Sequence, residues 1–392
     1  MRILLITPSA AGGHHDEYKV LLAKAFYELG HEVLQFSPNN EKSKKIEQSV
    51  PTYANKSKYP SKIFKYLIRL WQIRHKALAD WQVLFDHIQN LEKESKRPDL
   101  LFFEYFDSYI GQYLSKWDIE NKLTIQFSGI LFHPRDTRLM NKSFFRRVLF
   151  DPYHIFKSRW CRSIGVLMEE SIPYLSALIH KPVIELPDVV SIPESIQDKS
   201  IGEFVRKRAG DRFIIGIWGA IDQRKGTSEF LQMQLELPPD KYFFVIGGRF
   251  HNKDSWPEND KYILNQTIEN LLTIDEWLSD DELLSGMLSC DLIFAAYPDY
   301  RFSSGIIGKA AAVGVPILVN DGFVMAKQVK DYNIGFVKQE QTDVTRWVSD
   351  NIAIIKKLRS SSSFKEGCLK YCERYGYEQW RKSLAHLIEP QK

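Results

Sequence analysis

Apolar residues fall in short runs and in helical periods that alternate along most of the chain. Residues 3–6 form a run of four closed by Thr7-Pro8, and a period follows at Val20, Leu21, Leu22, Ala25, Phe26 and Leu29. That period ends at Gly30 and gives way to a second strand-like segment, 32–36. Runs of four or five suit buried strands, spacings of three and four suit a helix, and a glycine just past the last periodic residue suits a left-handed helix end. The pattern predicts strand, glycine loop (Ala10-Ala-Gly12-Gly13), helix and parallel strand. Further apolar runs at 99–103, 123–127 and 164–168 extend it into a doubly wound sheet.

Prolines and small polar residues then cluster over 181–200, as in an interdomain connection. A second α/β series begins after it, with strands predicted at 213–218, 242–246, 271–274, 292–295 and 316–319. The tail, 364–388, has helical spacing (Leu369, Cys372, Tyr375, Trp380, Leu384, Leu387) and no strand to feed. Two α/β domains are expected, 1–187 and 188–365, followed by a C-terminal helix over 366–392.

The composition fits that picture. The chain has 392 residues, 44% hydrophobic and 26% charged, with 21 Gly and 17 Pro, which excludes collagen-like and low-complexity classes. Four cysteines (Cys161, Cys290, Cys368, Cys372) are too few for a disulfide framework, and the 368/372 pair lacks a second pair to make a zinc site. The compartment is expected to be reducing. The opening apolar run is too short for a signal-peptide core and no window approaches about 20 apolar residues, so the expectation is a cytoplasmic protein whose membrane contact, if any, is peripheral. The formal charge of +4 is unevenly spread: residues 41–80 hold ten Lys or Arg against three acids.

The candidate chemistry lies in the second half. In Tyr297-Pro-Asp-Tyr-Arg301-Phe-Ser303-Ser304-Gly305, a serine cap and a glycine open a helix of small residues that ends at Gly314 before Pro316. A helix start at a strand's carboxyl end attracts anions, because its N–H groups and its dipole both face the ligand. Lys309 is one turn further on the same face, and Arg301 precedes the turn; both are expected near such an anion. A second glycine loop, 219–227, carries Arg224 and Lys225, which suit a diphosphate as a bidentate fork and a point charge. There is no Gly-Lys-Ser/Thr phosphate loop and no three-glycine dinucleotide fingerprint, which argues against an NTPase or an NAD enzyme. No Asp-x-Asp pair occurs, so cationic side chains rather than a metal are expected to neutralise the phosphates.

With those residues in view, the sequence resembles the GT-B glycosyltransferases, most closely the family-4 retaining type. The resemblance rests on Gly12-Gly13 before Leu22-Ala-Lys-Ala-Phe-Tyr-Glu-Leu-Gly-His31, on 219–226, on Leu278-Ser-Asp-Asp-Glu to Asp291, and on 305–316. It implies two Rossmann-like domains facing a cleft, a nucleotide-sugar donor as substrate with no separate cofactor, and a final helix, around Tyr375-Gly-Tyr-Glu-Gln-Trp380, crossing back to the N-terminal domain. The departures are specific. The family's donor motif is Glu, seven residues, Glu; aligning on Ala311-Ala-Val-Gly314 puts Arg301 and Lys309 at the two positions, whereas aligning on Pro298 puts Phe302 at the first, and no carboxylate remains either way. The family's sugar-contacting His after an N-domain strand matches Ser128, with His133 five residues later. The turn at Ser303-Ser304-Gly305 also resembles inverting GT-B enzymes and the UDP-sugar 2-epimerases.

Glycosyl transfer without a metal is therefore the leading expectation, retaining rather than inverting, to a glycan or lipid-linked acceptor in polysaccharide or glycolipid biosynthesis. The nucleotide-binding set is Gly12, Gly13, Arg224, Lys225, Arg301, Ser303, Ser304, Gly305 and Lys309. Candidate acid–base groups are His133, Glu104 and Asp107, close to strand ends. His14-His15-Asp16-Glu17 resembles a metal cluster in composition, but adjacent residues on a helix diverge, so no metal site is expected there. An epimerase or hydrolase of the same fold, and a non-catalytic GT-B relative that binds a glycan or partner, are the alternatives. Two basic, aromatic segments, within 41–80 and 142–162, suit peripheral contact with an anionic membrane on its inner face. No nucleic-acid module accompanies this charge, so no nucleic-acid partner is expected.

Overall fold

A computed structural model of the chain describes residues 1–7, 14–37, 62–109, 114–134, 153–190, 199–339 and 341–389, without the side chains of 14–17, 62–73, 76 and 108. The first strand, β1 (Arg2–Ile6), is buried on both faces, so its apolar run is continuous rather than alternating. It pairs in parallel with β2 (Glu32–Phe36) and β3 (Leu100–Phe103). The sheet continues through β4 (Gln126–Leu131), β5 (Cys161–Val166) and β6 (Val183–Glu185), in the order β2-β1-β3-β4-β5-β6. Between β1 and β2 the helix His14–Glu28 is closed by Gly30 at φ +79°. The long helix Lys62–Lys93 covers one face of the sheet, and Trp81 is the centre of that packing. Its indole meets the rings of Phe103 and Phe127 and donates to the Tyr109 carbonyl at 3.1 Å.

A second parallel sheet holds β7 (Phe213–Trp218), β8 (Tyr242–Gly247), β9 (Leu271–Ile274), β10 (Leu292–Ala295), β11 (Ile317–Asn320) and β12 (Gly335–Lys338). Its order is β12-β11-β10-β7-β8-β9. Helices cover both faces, with separate apolar cores on each. The chain divides into two compact units, Met1–Pro187 with Arg381–Lys392, and Asp188–Trp380. Helix Ser362–Tyr375 belongs to the second unit, whereas the last helix, Tyr377–Ile388, returns most of its length to the first. There Arg162 donates to the Ile388 carbonyl at 2.5 Å, Ser163 Oγ donates to the Leu387 carbonyl, and Leu384, Leu387 and Ile388 are buried.

Several elements depart from the sequence pattern, each for a physical reason. The strand expected at 123–127 instead begins at Gln126 and runs through Ser128-Gly129, small residues that resemble a turn. Gly129 lies so close to β3 that an added Cβ would be 2.5 Å from the Phe103 carbonyl. Ser128 is fully buried and meets the Ser163 hydroxyl at 2.9 Å. The strand expected at 164–168 begins earlier, at Cys161. β6 lies inside the proline-rich stretch expected to be a connection, and β12 opens with a glycine forced by the Ile317 carbonyl, 2.0 Å from where its Cβ would be. The tail is two helices broken at Gly376, which adopts an extended conformation. Among the described residues no helix is long and apolar enough to cross a membrane.

Candidate functional site

The second sheet reverses its winding between β7 and β10, and open α/β sheets bind ligands outside the carboxyl ends of the strands at such a switch point. Two segments meet there. After β7, Gly219 turns at φ +97° and Gly226 at φ +72°, conformations glycine adopts without strain. Between them Asp222 accepts from the Arg224 backbone N–H at 2.9 Å and its side chain at 3.0 Å, while its carbonyl accepts from Thr227 Oγ1 at 2.9 Å. Arg224 remains 81% exposed at its side chain, although its Nε and one terminal nitrogen both donate to Asp222 Oδ2.

Lys225 turns inward. Its Nζ donates to the Trp218 carbonyl at 2.7 Å, lies over the Tyr297 ring at 5.7 Å, and is 3.1 Å from where a Cβ on Gly219 would sit. A side chain at 219 would crowd that ammonium, and the positive φ of the position favours glycine as well. Desolvation pushes the Lys225 ammonium down to about 8 from an ordinary lysine value of 10.5.

The second segment follows β10. A Cβ on Gly226 would lie 3.2 Å from the Ala296 carbonyl, so the two segments are in direct contact. Asn320, buried at the end of β11, donates to the carbonyls of Ala296 and Tyr297 at 3.1 Å each. Tyr297 packs on Tyr300 at 5.4 Å, and the Tyr300 hydroxyl donates to the Ser303 carbonyl at 3.0 Å. Helix Gly305–Val313 then begins with Ser304 extended and no side-chain cap. Its first face is unusually close to other residues: Val190 fills the space a side chain at Gly308 would need, and Asp188 Oδ2 is 3.6 Å from a Cβ built on Gly305. Segment 188–190 is fastened there by the Val190 N–H, which donates to the Tyr375 carbonyl at 2.8 Å.

Arg224, Lys225, Ser303, Ser304 and Gly305 are thus gathered at one switch point. Two predicted residues are oriented otherwise. Lys309 reaches not for the helix start but for Asp280 Oδ1, at 2.5 Å. Arg301 pairs with Asp299 at 2.9 Å and lies over Phe323 at 4.9 Å, because the turn at Asp299, φ +44°, carries it toward the loop after β11.

In the first unit Asp107 is nearly buried, 4% exposed at its side chain. Its two oxygens accept the backbone N–H groups of Phe132 at 2.8 Å and His133 at 3.0 Å, which fixes the turn leaving β4. His133 Nδ1 lies 3.3 Å from the Tyr105 hydroxyl and 3.5 Å from Asp107 Oδ1. Asp107 therefore positions His133 rather than standing beside it as an independent base. Asp107→Ala removes two charge-assisted bonds from a buried turn and should destabilise the unit by about 2–4 kcal/mol; a thermal melt with an unshifted midpoint would contradict this role. Glu104 is fully buried past the end of β3, with its N–H donating to the Ile6 carbonyl at 2.9 Å. Ser128 lies inside β4, so His133, not Ser128, stands beyond the strand end. Gly12 and Gly13 lie outside the described residues, as do 41–61 and 142–152 of the basic segments. Among the described residues no group of three or more His, Cys, Asp or Glu is placed to hold a metal ion.

Trp218, Asn320 and Asp188 carry no motif signal, and Tyr297 and Asp280 lie within motif segments without standing out in them. An asparagine closing an apolar strand, as in Ile317–Asn320, is the one cue the sequence offered.

The sequence matches no protein-family model and no curated protein. Solved structures resemble it over nearly its full length. Anabaena HepE in complex with UDP is 12% identical, with a TM-score of 0.66 over 98% of this chain and 99% of that one. The UDP-forming trehalose-phosphate synthase of Burkholderia xenovorans is also 12% identical, with a TM-score of 0.66 over 100% and 99%. Sucrose-phosphate synthase of Thermosynechococcus elongatus is 13% identical, with a TM-score of 0.62 over 98% of each chain. These are GT-B glycosyltransferases, and the chain has the GT-B fold.

Proposed function

We propose that the chain is a glycosyltransferase that takes a nucleoside-diphosphate sugar in its second unit. One observation carries the reading: a half-buried lysine, an exposed arginine and a helix start whose Ser304 makes no side-chain cap converge on the switch point between β7 and β10. Lys225 and Arg224 supply positive charge to a diphosphate, and the helix start supplies N–H donors. The charge they stabilise grows as the glycosidic bond to the diphosphate breaks, so they favour the transition state over the bound donor. These cations serve the role without a metal. The solved relative carrying UDP supports UDP-sugars as the first donors to test.

The acceptor is a glycan or a lipid-linked sugar, and retention of configuration is favoured. In that mechanism the leaving phosphate takes the acceptor proton. In the inverting alternative His133, held through Asp107, is the base, with Nδ1 turned to Asp107 and Nε2 opposite it. The charge of residues 41–80 supports peripheral contact with anionic lipid on the cytoplasmic face.

A thermal-shift screen of UDP-, GDP-, ADP- and dTDP-sugars tests the donor reading. At least one should raise the melting temperature in proportion to its concentration and affinity. A free, altered sugar released without acceptor would instead mark an epimerase or hydrolase. No shift with any of them would leave the non-catalytic alternative.

A further inference from the structure

We propose that Asp260 is a positioning residue of this site: its buried carboxylate ties down the loop that carries Arg224 and Lys225, and so sets where those cations meet the diphosphate. The inference rests on the donor reading above. Asp260 is 4% exposed and lies in the first turn of helix Glu258–Leu264, in the connection from β8 to β9. An acid in a first turn suits the helix dipole wherever its side chain points. This one is buried against the cation loop. Its Oδ2 accepts from Gln223 Nε2 at 3.0 Å and from Ser228 Oγ at 2.5 Å, and the same hydroxyl lies 2.9 Å from Gln223 Oε1.

The loop needs such a tie. Gln223–Lys225 is a single 3₁₀ turn between glycines at positive φ, Gly219 and Gly226, and so short a turn is held weakly by its own bonds. Its backbone bonds close within the loop: the Lys225 and Gly226 N–H groups donate to the Asp222 and Gln223 carbonyls at 3.1 and 3.2 Å. Arg224 bonds to Asp222, and Lys225 to the end of β7. Among the described residues, the Gln223–Asp260 bond is the hydrogen bond that joins the turn to an element beyond β7 and the helix it leads into, Thr227–Glu236. Gln223 stands directly before the two cations and Ser228 shortly after them, so one carboxylate grips both ends of the segment. Asp260 also borders a cavity of about 490 Å³ with Ser228, Lys338 and Thr342, which neither Arg224 nor Lys225 lines, so it acts through the loop and not on the ligand. Cations fixed before the donor arrives lose less freedom when it binds, and affinity rises accordingly.

The test is titration calorimetry of UDP, GDP and ADP at pH 7 on the unaltered protein, Gln223→Ala, Asp260→Ala, the double variant and Asp260→Asn. Q223A and D260A should each bind about tenfold more weakly, and the double variant should fall no more than about twofold below either, because both cut one link. Asparagine retains an acceptor for Ser228 and a donor for Gln223 Oε1, so D260N should stay within about threefold of the unaltered protein. A carboxylate that merely anchors its own helix would lower the melting temperature of D260A and leave donor affinity in Q223A untouched. Q223A removes no buried charge, so it decides the matter even if D260A does not fold. Unchanged affinity in Q223A, losses that multiply in the double variant, or a D260N as weak as D260A overturns the inference while leaving the donor reading intact. Binding of none of the three nucleotides by the unaltered protein overturns the donor reading and this inference with it.

Discussion

Lys225→Met should cost the protein about a hundredfold or more in affinity for its nucleotide donor, and at the same time make the ligand-free fold more stable. The loss follows from removing a charged donor from the phosphate site, worth about 3 kcal/mol. The gain has the same origin. Desolvation holds the Lys225 ammonium down to about 8, so the empty fold carries a charge it would shed more readily than the unfolded chain does. Between pH 8 and 10.5 the unfolded state binds more protons than the folded one, and stability therefore rises with pH across that window. Below pH 8 the destabilisation is fully present, at up to about 3 kcal/mol. Methionine keeps the stem and removes the charge, so K225M should melt higher at pH 7 and lose its advantage by pH 10.5. Donor affinity in the unaltered protein should hold level up to about pH 7.5 and then fall, approaching tenfold for each further step of one in pH, as the ammonium deprotonates. A nucleotide-sugar titration at pH 7, 8 and 9 measures it, and an affinity flat across that range would contradict the role.

The second large effect is expected at Gly247. Trp218, whose carbonyl holds Lys225, is fully buried at the end of β7 and its indole N–H donates to Cys290 Sγ at 3.4 Å. Glycines leave room for that ring. A Cβ at Gly247 would be 2.1 Å from Cζ3, one at Gly286 2.2 Å from Cη2, and one at Gly216 2.3 Å from Nε1. No flexible side-chain end can yield here, because the obstacle is a rigid bicycle with a core on every side. Gly247→Ala should therefore destabilise the second unit by about 3 kcal/mol, and Gly286→Ala similarly. The double variant should fall short of the sum, since both substitutions displace the same ring. Donor binding should weaken in each, because a shifted Trp218 moves the carbonyl that anchors Lys225. Unaltered melting of G247A would show that the indole is not held as described.

Much of the architecture was legible because parallel strands buried on both faces leave uninterrupted apolar runs. β7, β9 and β10 fall where the pattern puts them, and the helix ended by Gly30 and the one from Gly305 to Gly314 are punctuated by their own glycines. What escaped was chemistry set by neighbours far along the chain. Ser128-Gly129 reads as a turn until the close approach of β3 is known. Lys309 reads as a phosphate ligand until Asp280 is seen beside it, and Glu104 as a base until its burial is known. Lys225 was legible as a cation on a glycine loop. Its enclosure by Trp218, Gly219 and Tyr297 was not, and that enclosure sets its proton affinity.

The central claim is that the carboxyl edge of the second sheet, through Lys225, holds a nucleoside diphosphate. Its most direct test is calorimetric titration of UDP-, GDP- and ADP-sugars into the unaltered protein and K225M at pH 7. Saturable binding of at least one donor, weakened about a hundredfold or more in a K225M protein that is folded and melts higher, is the predicted result. Donor binding unchanged in K225M, or no binding of any nucleotide sugar by the unaltered protein, would contradict it.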